Sequence, residues 1–209
     1  MNSTVTVVDY NTSNIQSVGN MLRKIGIKAR ITSDPNEVRK TDKLILPGVG
    51  SFDVARQNLD LAQMPEALEE AVIKKGVPIL GICLGMQLLA QGSEEGRLPG
   101  LGWINGRVRK FCFDSPQDSP KVPHMGWNYV HPRAADHAIW RQIINPMRFY
   151  FVHSYHFVCD AEEDVAATTP YGYDFVCAVA KDNIWGVQFH PEKSHTFGMQ
   201  LLRNFVECA

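Results

Sequence analysis

The sequence predicts an α/β fold: a mixed, mostly parallel sheet with helices packed on it. Three observations carry this reading. Over the first ninety residues, short β-rich runs alternate with segments of helical periodicity, the order that builds a parallel sheet. At residues 77–89 an apolar run of strand length passes through a small-residue turn directly into a helix-forming run. After Gly100 the texture changes to short β-rich pieces separated by turns, which adds antiparallel strands to the sheet.

Residues 5–9 form the first predicted strand, and apolar residues at Ile15, Val18, Met21, Leu22 and Ile25 place a helix over 14–25, with Ser13 or Asn14 as its N-cap. Residues 28–32 give a second strand, Asp34-Pro35 starts a helical turn, and 43–46 form a third, more buried strand. Pro47-Gly48-Val49-Gly50 then occupies the loop at a strand end, beside the place where ligands bind in such sheets. Helical periodicity returns over 51–75, interrupted by Pro65. Beyond the helix that follows residue 83, β-rich pieces are expected at 103–104, 107–111, 129–130, 148–158 and 175–180, with a hairpin turn at Asn105-Gly106. Residues 114–120 read as a surface loop, and 123–128 as a loop with large side chains set beside a glycine. A closing helix over 197–206 buries Leu201, Leu202, Phe205 and Val206.

With 209 residues and no linker-like stretch, residues 1–209 are expected to form one domain around one sizeable core. Lys and Arg (21) nearly balance Asp and Glu (22), so there is no basic stripe for nucleic acid or membrane. No apolar run approaches the roughly 20 residues needed to cross a bilayer, and the N-terminus lacks a signal-like pattern, so the expected location is cytoplasmic. Five cysteines without C-x-x-C spacing suggest neither a zinc site nor a disulfide framework. No metal or cofactor is expected.

The turn Gly81-Ile82-Cys83-Leu84-Gly85 has the form of a nucleophile elbow, with glycines where the corner leaves no room for a Cβ. Cysteine there sits at a helix N-terminus, which favours a thiolate. A buried cysteine between strand and helix is the plain alternative, and the turn alone fits both. Far downstream, His190-Pro191-Glu192 supplies what a cysteine nucleophile needs: an imidazole to move the proton and a carboxylate to orient it. His131, His137 and His195 are read as ordinary core or surface histidines, and His153-Ser154-Tyr155-His156 as a strand with no third metal ligand.

Gly81 to Gln87 together with His190-Pro191-Glu192 resembles the class I (triad) glutamine amidotransferases. Leu46 to Gly50, Pro123 to Asn128 and Phe151 to Tyr155 are similar to the glutaminase subunits of imidazole glycerol phosphate synthase, which pass ammonia to a separate cyclase subunit for histidine biosynthesis. The motifs keep their order along essentially the whole chain. The resemblance implies a flavodoxin-like three-layer fold with helices on both faces, and L-glutamine as substrate. It implies a triad of Cys83, His190 and Glu192, and an oxyanion hole from the N–H of Val49 or Gly50 with that of Leu84. Gln87 would contact bound glutamine, Glu95 its α-ammonium, and Ser154 with Tyr155 its α-carboxylate. Asn14, His124, Met125, Trp127, Asn128 and Lys181 would face the cyclase, although the first loop carries Asn11 and Ser13 where the family has glycines. Rival readings are an amidotransferase of anthranilate, GMP or pyridoxal phosphate synthesis, a paralogous pair aminating a cell-surface sugar, a silent partner-binding module, and a cysteine protease. Pro123 to Asn128 speaks against the first, and the intact triad against the silent module.

Overall fold

A computed structural model describes residues 4–113, 119–134 and 137–208. The first half alternates strand and helix: β1 (Val5–Val8), α1 (Ile15–Lys24), β2 (Ala29–Thr32), α2 (Pro35–Val38), β3 (Lys43–Gly48), α3 (Phe52–Leu61), α4 (Met64–Glu69), β4 (Ile79–Cys83) and α5 (Leu84–Gln87). Then come β5 (Gly106–Lys110), β6 (His124–Tyr129), β7 (His131–Pro132), β8 (Arg148–His153), β9 (Tyr155–Cys159), β10 (Val165–Pro170), β11 (Asp174–Lys181), β12 (Ile184–Val187) and the closing α6 (His195–Cys208).

The main sheet runs β2-β1-β3-β4-β12-β11-β10-β7, and β9 carries β5 from β11. The pairs from β2 through β12 are all parallel, whereas every pair beyond β12 is antiparallel. β3 and β4 are buried along their whole length, as parallel strands covered on both faces must be. One apolar layer packs α1 and α6 on one face of the sheet, through Val18, Leu22, Leu201, Leu202 and Phe205; another, with Phe52, Leu59 and Leu68, packs α3 and α4 on the other face.

Several local expectations change in three dimensions. Asn14 stands at the N-terminus of α1, but its side chain makes no capping bond. The helical stretch at 51–75 breaks at Ala62-Gln63, two residues before Pro65, which lies in the first turn of α4; the helix then widens into a π-helical turn over Glu70–Lys74. No hairpin forms at Asn105-Gly106, because Gly106 opens β5, which pairs with β9, and Asp160 N–H donates to the Asn105 carbonyl. The helix after Cys83 is short, since the N–H groups of Leu101, Gly102 and Trp103 take up the carbonyls of Leu88, Ala90 and Leu89. Residues 123–128 are not a loop: β6 pairs antiparallel with β8 as a separate two-stranded ribbon. The run 148–158 is two strands, bent at Ser154. Of the expected loop at 114–120, residues 114–118 lie outside the described residues.

Candidate active site

Strand β4 ends at Cys83, whose backbone has φ 54° and ψ −109°, a left-handed conformation that a residue with a Cβ adopts only under constraint from its surroundings. The constraint is visible in the flanking glycines. A Cβ on Gly81 would meet the Gly85 carbonyl oxygen at 2.7 Å, and one on Gly85 would lie 1.8 Å from the Leu46 carbonyl oxygen of β3. The corner is folded so tightly against its own strand and the next that only glycine fits, which tips the sulfur out at the end of the sheet.

β12 runs parallel beside β4, so its C-terminal end delivers Gln188, Phe189 and His190 to the same edge. His190 and Cys83, separated by more than a hundred positions, line one cavity of about 310 Å³, within the roughly 300–1,000 Å³ range of small-molecule pockets. His190 Nδ1 is 2.8 Å from Glu192 Oε1, and both side chains are fully buried. With Nδ1 so engaged, Nε2 is the nitrogen left for proton transfer. Burial works against a charged imidazole, but the nearby Cys83 sulfur and the hydrogen-bonded Glu192 carboxylate outweigh it and raise the His190 pKa well above the ordinary range. Burial likewise works against the Glu192 carboxylate, and His190, its own backbone and Asn14 together hold its pKa below the usual value.

The cavity is also lined by Val49, Gly50, Leu84, Gln87, Glu95, Ser154 and Tyr155, so the elements carrying the expected oxyanion and substrate contacts converge on it. Gly50 has φ 104°, a conformation open to glycine. Of the two adjacent glutamates, Glu95 faces the cavity, its Oε2 accepting the Phe52 N–H at 2.9 Å, while Glu94 accepts the Lys110 N–H elsewhere. Burial raises the Glu95 pKa, with the Phe52 N–H opposing the shift. Gln87 Nε2 donates to the Tyr155 carbonyl and to Gln188 Oε1.

The residues expected at a partner surface separate into groups. Met125 and Trp127 are 62% and 41% exposed, as alternate positions of one strand face should be. His124 and Asn128 point the other way: His124 Nδ1 lies 3.1 Å from His153 Nε2, and Asn128 Nδ2 donates to the Pro170 carbonyl. Asn14 is only 7% exposed, and its Nδ2 donates to Glu192 Oε1 at 3.2 Å, so its side chain supports the carboxylate instead of presenting a surface. Lys181 sits at the β11-β12 turn, beside Asp164 and at the end of β12 opposite His190, remote from the others. Residues outside the expected set complete the exposed patch: Tyr129 on β6, Arg148 against the Trp127 ring, Lys193 over Tyr150, and His195, expected as an ordinary core or surface histidine, stacked on Trp127. The in-out alternation of 124–129 was the available signal.

The class-I glutamine amidotransferase family model matches residues 6–208. The chain is 48% identical over 205 residues to "Imidazole glycerol phosphate synthase subunit HisH 2" of Methanococcus maripaludis, covering 98% of this chain and 100% of that protein. It is also 48% identical over 203 residues to the protein of the same description in Pseudomonas aeruginosa, covering 97% and 98%. Among solved structures, a glutamine amidotransferase from Thermotoga maritima shares the fold with a TM-score of 0.65 at 17% identity, covering 99% of this chain and 82% of that one. Overall fold and sequence relationship agree: the chain belongs to the class-I glutamine amidotransferase family, within the group of imidazole glycerol phosphate synthase HisH subunits.

Proposed function

We propose that the chain is a single-domain glutaminase subunit of imidazole glycerol phosphate synthase, working in the cytoplasm on L-glutamine and passing ammonia to a cyclase subunit. The observation that carries the residue roles is the meeting of Cys83 and His190 in one cavity, with Glu192 on the far nitrogen of the ring. In this reading the Cys83 sulfur attacks the side-chain amide carbon, and the oxyanion is held by the N–H of Val49 or Gly50 and that of Leu84. His190 gives its Nε2 proton to the amide nitrogen, the C–N bond breaks, ammonia leaves, and a thioester remains. His190 then takes a proton from water, hydroxide displaces the sulfur, and glutamate is released. Glu95 supplies the fixed negative charge for the α-ammonium, and Ser154 with Tyr155 the polar groups for the α-carboxylate. Asn14 braces Glu192, and Met125 and Trp127 offer the exposed apolar surface expected of a partner contact.

Glutamate release measured with and without the cyclase, supplied together with its phosphorylated ligand, tests the assignment. The complex is expected to hydrolyse glutamine faster than the chain alone, and Cys83→Ala to abolish release in both. Retention of full glutaminase activity by Cys83→Ala would overturn the catalytic assignment. Failure of the chain to associate with the cyclase would overturn the partner.

A further inference from the structure

Gln188 is fully buried, two residues before His190, and no step described above uses it. Its Nε2 lies 3.6 Å from Cys83 Sγ, within hydrogen-bonding distance for sulfur. The orientation of this amide is dictated from a distance. The Tyr155 carbonyl can only accept, so the Gln87 amide must turn its nitrogen toward it, at 3.1 Å. The same nitrogen reaches Gln188 Oε1 at 3.0 Å, so Gln188 must present its oxygen to Gln87 and its nitrogen to the sulfur. A backbone carbonyl thereby sets the polarity of two buried amides, and the chain of donors ends on Cys83. Burying an amide without hydrogen bonds is costly, whereas an apolar side chain could fill this space at no polar cost.

We propose that Gln188 is a positioning residue for the nucleophile, its side-chain N–H holding the Cys83 sulfur at the cavity and stabilising the negative charge that forms there when the proton passes to His190. The inference rests on Cys83 being the nucleophile. Gln188 is not among the residues lining the substrate cavity, so it acts through the sulfur. A donor of fixed direction stabilises the charged sulfur more than the neutral thiol, because hydrogen bonds to ionised groups are the stronger kind.

The test uses the chain assembled with its cyclase partner and two variants: Gln188→Met, which keeps the length and removes both polar atoms, and Gln188→Leu, which removes them in a branched shape. Alkylation of Cys83 by iodoacetamide at neutral pH is followed by peptide mass spectrometry, so that Cys112, exposed at the surface, does not interfere. Loss of one hydrogen bond to a charged group predicts alkylation about tenfold slower and kcat lower by about tenfold, with KM changed less than about threefold. Gln188→Asn, which restores an amide, is expected to regain part of both rates. A purely structural role would lower the melting temperature and leave the Cys83 alkylation rate of the folded protein untouched. Wild-type alkylation by either folded variant overturns the proposal. If neither folds, Gln87→Met removes the donor that orients Gln188, and wild-type alkylation in that variant overturns it as well. Failure of the nucleophile assignment reads differently, as glutamine hydrolysis surviving Cys83→Ala.

Discussion

Replacing Gly85 by alanine tests how the corner that presents the sulfur is built. The added Cβ would stand 1.8 Å from the Leu46 carbonyl oxygen and 2.9 Å from its carbon, where at least 3.0 Å is needed, so backbone must move by about 1.2 Å. Leu46 cannot give way easily, because β3 is held between β1 and β4 by parallel ladders on both sides. The displacement therefore falls on the turn carrying Cys83 and on α5. Overpacking of this kind costs about 1–3 kcal/mol, which for a domain of this size lowers the melting temperature by roughly 3–10 °C. Activity should suffer more, since misplacing a reacting group by about 1 Å costs about 100-fold. Gly92→Ala is the control: its Cβ would meet the flexible Arg107 guanidinium at 3.4 Å, an ordinary contact. Thermal melting and glutamate release by the assembled complex, measured below the melting transition, report both effects. A Gly85→Ala protein that melts within about 1 °C of wild type and keeps its turnover refutes the steric reasoning.

Asn14→Leu removes the donor on Glu192 Oε1; kcat is expected to fall about tenfold with affinity for the cyclase unchanged, checked by steady-state kinetics and a pull-down titration. Burial pushes the His153 pKa down to about 3, so the folded protein refuses a proton that the unfolded chain accepts below about 6.5. His153 therefore costs no stability above pH 6.5 and about 1.4 kcal/mol for each pH unit below it; His124 and His156, also held below the ordinary value by burial, add to the slope in the same sense, so denaturant titrations between about pH 7 and 5 should show His153→Phe reducing it by about that amount. Trp127→Ala should weaken association with the cyclase by about tenfold or more without lowering the melting temperature, whereas Lys181→Ala should leave association unchanged. Equal effects of the two would return Lys181 to the partner surface.

The features legible in the sequence are those whose cause lies within a few residues of chain. Gly81 and Cys83 announce a tight strand-to-helix corner because Gly81 is crowded from within it, by the Gly85 carbonyl, although the crowding of Gly85 itself comes from Leu46 of β3; His190 and Glu192 form their pair across a single proline. Alternating periodicities gave the parallel half of the sheet, and the motifs of the elbow and the histidine segment gave the family. Residues 124–129 carried a period-two pattern, but Gly126 and the neighbouring proline and polar residues masked it, and only pairing with β8 makes the strand.

What the tertiary structure alone decided is which distant groups meet. Asn14 reads as a helix cap until the fold brings it to Glu192, 178 positions away, whose buried carboxylate accepts a charge-assisted hydrogen bond from its amide nitrogen. Gln188 gives no local sign of purpose, since its partners Gln87 and Cys83 come from a neighbouring strand and helix. Lys181 and His190 are nine positions apart, yet the direction of β12 sets them at opposite ends of the sheet. Sequence specifies conformation through short-range sterics and burial through periodicity. Contact between remote polar side chains depends on strand order and direction, which exist only once the sheet has formed.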